Sequence, residues 1–169
     1  MAHLSICAYR DVPNRIANLP ALPNGGIYTG HHVIPDHCWY VTSGLRGRGD
    51  LGAFLIPGCK HYRTDQAPVI IVTADANGGK SREHGKIHDI FDPLEFNNKP
   101  SWTYEEALDA AKQSIEGNFG LAKWLFVKEE MEKYFQRQCG VKMDTELRAG
   151  EHSVHPRAPQ RKSARFKPY

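Results

Sequence analysis

With 169 residues, 40% of them hydrophobic and 24% charged, the chain is sized for one domain with a real core and is short for two. No run approaches the roughly 18 uninterrupted apolar residues of a membrane span, and residues 1–10 lack the basic start and apolar run of a signal peptide. The formal charge of +3 is mild, so the placement of charge says more than its total. Arg46, Arg48, Lys60 and Arg63 lie in the middle of the chain. Arg148, Arg157, Arg161, Lys162, Arg165 and Lys167 crowd the C-terminus, where Glu151 is the one acid. Such clusters suit phosphate contacts, and a solvated surface with a loose tail is the competing reading. Cys7, Cys38, Cys59 and Cys139 are scattered without C-x-x-C spacing, which argues against a zinc ribbon and for buried thiols rather than bridges.

In chain order, residues 1–30 carry Pro13, Pro20, Pro23 and Gly25-Gly26 without periodicity, and predict an irregular lead-in with one short strand near Ile27-Tyr28. His31 and His32 open an apolar stretch that Pro35 limits, and Cys38 to Thr42 is a second β-prone run. Ser43 to Gly58 is rich in glycine and arginine and reads as an inserted loop, of a length that is often functional. Val69-Ile70-Ile71-Val72 predicts a strand buried on both faces. Asn77-Gly78-Gly79 predicts a turn, with Ser81 as N-cap of a helix bearing His84 and His88. Thr103-Tyr104-Glu105-Glu106 has the capping-box pattern, followed by an apolar face of Tyr104, Leu108, Ala111 and Ile115. A second helix is predicted from Leu121 to Cys139, with Trp124, Leu125, Met131 and Phe135 as its stripe and Gly140 as its terminator. These stripes read as core. Beyond Gly150 no apolar pattern remains, so 151–169 reads as a basic tail after a single domain over 1–150.

Two histidine pairs carry the chemistry. Adjacent His31 and His32 on an extended backbone must point to opposite sides. His84 and His88, four apart, share one face of a helix. Three imidazoles with an open position make a catalytic rather than a structural metal site. The fourth imidazole, facing away, has an ordinary pKa suited to a general base. A water nucleophile, a base and a metal together serve phosphodiester hydrolysis. Taken singly, either pair is equally well a polar spot on an exposed strand or helix.

Thr29-Gly30-His31-His32-Val33-Ile34-Pro35-Asp36-His37-Cys38, followed by Ala67-Pro68-Val69-Ile70 and His84-Gly85-Lys86-Ile87-His88, resembles the HNH/endonuclease VII superfamily. More closely, it resembles the HHH-type nuclease toxin domains at the C-termini of bacterial polymorphic and type VI secretion effectors. The resemblance spans roughly Tyr28 to Asp92, little more than a third of the chain. It implies a ββα-metal core over about 28–92; with the inserted Gly/Arg-rich loop and the helices read above as a C-terminal helical hairpin over about 101–140, the fold expected is α+β. The resemblance maps His31 to the first metal ligand, His32 to the general base, and His84 and His88 to helix ligands. His37 becomes the third histidine of the HHH label, orienting the base, touching phosphate or packing. Asn77 becomes the residue that ties the hairpin loop. Arg46, Arg48, Lys60, Arg63, Arg82 and Lys86 are the candidate contacts to nucleic acid.

The reading that follows is a DNA endonuclease of low sequence specificity, using one divalent ion, with Zn2+, Mg2+, Mn2+ and Ni2+ all open. The resemblance implies an antibacterial effector toxin without a signal peptide, acting in the cytoplasm of a target bacterium. A cognate immunity protein and a secretion apparatus would be its partners, with no membrane role. An RNase or a more specific HNH endonuclease is the rival within the enzyme class. A non-catalytic, zinc-stabilised nucleic-acid-binding module is the rival outside it. Adjacent histidines cannot easily chelate one ion, which counts against that last reading.

Overall fold

The run of β-branched residues at Val69–Val72 decides the centre of the sheet. The computed structural model describes residues 3–41, 55–77 and 79–150. In it β1 (Ile6–Ala8), β2 (Gly26–His32) and β3 (Pro68–Asp75) form an antiparallel sheet in the order β1-β3-β2. The central position of β3 explains why Val69, Ile70, Ile71 and Val72 are all fully buried: side chains on both faces are covered. The lead-in is therefore less irregular than its prolines suggest. Ile6–Ala8 pairs with Ile70–Pro68, and a short helix α1 (Val12–Ile16) follows.

Register sets the two faces. His31 lies opposite Ile70 and Thr29 opposite Val72, so these four share the face turned to the main core. His32 lies opposite Val69 and Gly30 opposite Ile71, on the other face. There Val12 of α1 lies against Gly30, where a Cβ would come 2.6 Å from its Cγ2.

After β3 the chain forms α2 (Glu83–Asn97), then β4 (Ser101–Thr103), α3 (Tyr104–Phe119) and α4 (Leu121–Met131). α4 continues as a π-helical stretch over Glu132–Gln138, and β5 (Glu146–Arg148) pairs with β4. The described residues are thus mixed helix and sheet, the α+β class expected. The Thr103–Glu106 capping box is formed: the Thr103 side chain accepts from the Glu106 N–H, and the Glu106 carboxylate accepts from the Thr103 N–H. Tyr104, Leu108, Ala111 and Ile115 are buried as their spacing requires.

Four expectations are corrected. The expected strand over Cys38–Thr42 does not form in its described part, 38–41: Asp36–Trp39 is a 3-10 turn, Tyr40 makes only an isolated bridge to Leu55, and Thr42 lies outside the described residues. Trp39 instead stacks with both Tyr62 and Phe135, at ring-centroid distances of 5.1 and 4.3 Å, an aromatic core contact that outweighs local β-propensity. Leu125 is 56% exposed rather than part of the buried stripe, and Val127 is buried instead. Ser81 does not cap α2. Arg82 holds the N-cap position, while Ser81 donates its N–H and hydroxyl to Asp75. The helical region over 101–140 begins with a strand, because 101–103 finds a partner in residues 146–148 that local pattern does not announce. Gly140 ends the helical stretch with φ +73°, as its place in sequence implies. All four cysteines are free thiols, and Cys38, Cys59 and Cys139 are buried.

Candidate functional site

β2 delivers His31 to the core face, and α2 lays its first two turns across that face. The His31 ring lies 4.9 Å from that of His84 and 5.0 Å from that of His88, both at right angles, and the two helix rings are 4.8 Å apart. One ligand nitrogen from each lies within 4.8 Å of the others. The three residues can therefore hold a metal ion. His31 is buried, while His84 and His88 are half-buried, so the cluster has one inner wall and an outer side toward solvent. Burial holds the His31 imidazole well below its ordinary pKa, reinforced by the neighbouring His88 and His84 rings. It is accordingly neutral at pH 7, the form that ligates. His88 Nδ1 is 2.8 Å from Asp92 Oδ1, one helical turn further on, a carboxylate–imidazole contact of the kind that orients ligands.

His32 faces the other side of the sheet, as alternation demands. Its ring lies 4.8 Å from that of Tyr9. Burial lowers its pKa, against an opposing pull from Asp36, so this imidazole too is neutral at pH 7 and able to accept a proton.

Both ends of α2 are anchored. At its start the Glu83 carboxylate accepts from the Thr73 N–H (2.8 Å), the Thr73 hydroxyl (2.9 Å) and His3 (2.7 Å). Partial burial would raise the Glu83 pKa, and these donors together hold it below the ordinary value instead. Gly85 sits between the two helix histidines because the chain allows nothing larger. A Cβ there would run into the backbone of Lys80. At the far end, Glu95 Oε1 lies 2.5 Å from His37 Nε2 and 2.9 Å from the Gly150 N–H that donates to it. Arg148 Nε donates to the His37 carbonyl (3.1 Å). His37, Cys38 and Glu95 form a second group whose ligand atoms converge within 4.8 Å, all three buried.

The remaining sequence candidates separate by position. His37 is fully buried, and its ring meets Glu95 of α2. Asn77 is exposed in the turn after β3, where its Oδ1 accepts from the Gly79 N–H. The connection from β2 to β3 is tied by Asp36, whose Oδ1 accepts from the Tyr62 hydroxyl (2.5 Å) and the Thr64 hydroxyl (2.7 Å). Arg82 is committed to Asp75 and to the Pro23 carbonyl, and Arg148 is buried, so neither guanidinium presents itself as a phosphate contact. Lys60, Arg63 and Lys86 are exposed, with Arg63 beside Asp65. Arg46, Arg48 and the tail 151–169 lie outside the described residues. Sequence reasoning missed Asp92, although its i+4 spacing from His88 was available. It also missed Tyr9, Asp36 and Glu95, whose roles depend on distant partners.

Comparison with family models, with curated proteins and with solved structures found no match.

Proposed function

We propose that this chain is a metal-dependent DNA endonuclease of the HNH/endonuclease VII type, with β2, β3 and α2 as its ββα-metal core. The observation that carries the reading is the convergence of His31, His84 and His88, with neutral His32 next in sequence on the opposite face. Three imidazoles, one of them buried and neutral and another oriented by a carboxylate, fit a divalent ion well. Such an ion, when bound, supplies Lewis-acid stabilisation of the charge that develops on a phosphate. Zn2+, Mg2+, Mn2+ and Ni2+ remain its possible identities.

The chain's own residues would act as follows. A ring nitrogen of His32 takes a proton from water as the water oxygen attacks phosphorus, and the bond from phosphorus to the 3′ oxygen breaks. That oxygen leaves with a proton from solvent. His31, held neutral by burial, and His88, steadied by Asp92, keep the ligand set in place. Of the cations singled out in the sequence, Lys60, Arg63 and Lys86 are exposed and available to the backbone, giving weak sequence preference and a strong salt dependence. The biological role that goes with this reading is an antibacterial effector toxin delivered by a secretion apparatus and neutralised by an immunity protein.

The test is plasmid degradation by wild type, His32→Ala and His88→Ala across a metal titration. His32→Ala should bind metal and not cut, while His88→Ala should do neither. Full cleavage by a folded His32→Ala variant would sink the assignment, and cleavage of tRNA in place of plasmid would move the substrate to RNA.

A further inference from the structure

Tyr9 is an exposed aromatic set directly on the ring of His32. It follows β1 and reaches that ring across β3: Ala8 pairs with Pro68, and His32 with Val69. The two rings are 4.8 Å apart and inclined by 36°. Even so, Tyr9 is 44% exposed. Its backbone is tied down, because the Tyr9 N–H donates to the Ala67 carbonyl (3.0 Å) and the next N–H, of Arg10, to the Asp65 carbonyl (2.9 Å). Gly30 lets Val12 and the Tyr9 ring come close to the sheet side by side: a Cβ there would stand 2.6 Å from Val12 Cγ2 and 3.5 Å from Tyr9 Cδ2. Arg10 and Arg15 are exposed in the same short segment.

A single exposed aromatic needs no explanation of its own. What distinguishes Tyr9 is a fixed backbone, an open side, and contact with the one imidazole positioned for proton transfer. We propose that Tyr9 is a stacking subsite for an unpaired nucleobase next to the bond being cut, an inference that rests on the nuclease reading. Every base has a π-face, so an aromatic platform holds a nucleotide without reading its identity. A base inside an intact duplex has both faces occupied by its neighbours and cannot offer one without being extruded. The subsite therefore names a substrate class: single-stranded or locally unpaired DNA, bound through a base on Tyr9 and through phosphates on the neighbouring arginines.

The full chain, with divalent ions chelated, would be titrated into a single-stranded DNA oligonucleotide carrying a fluorescent purine analogue that is quenched by stacking. End-label anisotropy would report binding separately. Wild type should quench the analogue. Tyr9→Leu should lose the quench and bind roughly 5- to 150-fold more weakly, the range for one stacked base. Tyr9→Trp should keep both, which also separates stacking from a folding defect. With metal restored, wild type should cut the single strand faster than the same sequence in duplex, and Tyr9→Leu should lose that preference mainly through KM. If Tyr9→Leu binds and quenches like wild type while wild type cuts DNA and His32→Ala does not, the subsite is overturned and the nuclease reading stands. If wild type neither binds nor cuts DNA, the nuclease reading fails and the subsite falls with it.

Discussion

Two clusters of metal-competent side chains sit at opposite ends of α2, and they are built for different ends. At the start of the helix, His31, His84 and His88 converge with one buried and two half-buried rings. At its end, His37, Cys38 and Glu95 converge just as closely, and all three are sealed from solvent. Glu95 Oε1 is already met by the His37 ring and by the Gly150 N–H, and the buried Arg148 guanidinium lies against the His37 carbonyl. A cation brought there would have to compete with these donors beside a buried positive charge. Proximity of ligand atoms is therefore not sufficient for a site. The first cluster has an outer side toward solvent, whereas the second is sealed, and the contacts that its Glu95 carboxylate makes clamp α2 to the turn that follows the histidine pair.

This contrast can be broken most sharply at Glu95. Glu95→Ala removes one partner of a buried polar network and should cost about 3–5 kcal/mol in urea unfolding, while metal-free His88→Ala should lie within about 1 kcal/mol of wild type. Equal losses would erase the distinction between clamp and site. Metal addition tests the other half. A divalent ion at a hundredfold excess over its Kd should stabilise wild type by about 2.7 kcal/mol, and the shift should vanish in His31→Ala and persist in Cys38→Ala. Gly85→Ala forces a Cβ against the Lys80 backbone and should destabilise by about 1–3 kcal/mol, lowering metal affinity at the same time. Asp92→Ala should weaken metal binding about 10- to 100-fold in calorimetry, with little change in fold stability.

A further effect is one of pH, at a buried thiol of the main core. Burial pushes the Cys59 thiol well above its ordinary value of 9.0. A folded pKa above the unfolded one means that this contribution is fully present below about pH 9 and is lost as pH rises. Unfolding measured at successive alkaline pH values should show a loss of about 1.4 kcal/mol per pH unit that Cys59→Ala removes. An unchanged slope in that variant would show that the thiol is not held neutral.

Much of the site was legible in the chain because its rules are short-range. The alternation that separates His31 from His32, and the i,i+4 spacing that joins His84 to His88, follow from backbone geometry alone. Asp92 was legible by the same helical spacing. Asn77 shows the limit: its type and neighbourhood suited a loop-tying role, yet Asp36 ties that connection, because Tyr62 and Thr64 return beside it from a distant stretch. Arg82 and Arg148 counted as available cations in sequence and are held by Asp75 and by the core in the fold. Charge type is written in sequence, but exposure is not.

By itself, the sequence determined the elements whose energetics are local: the capping box of α3, its buried stripe, the β-branched strand β3 and the orientation of each histidine on its own element. The tertiary structure alone decided that the helix pair meets His31, that Tyr9 lies on His32, that Ile6–Ala8 and Glu146–Arg148 find strand partners, and that Glu95 closes on His37 across 58 residues. The reason is physical. Periodicity and capping are set by dihedral angles over a few residues. Contacts between distant segments are selected by how whole faces bury apolar area and satisfy their polar groups together.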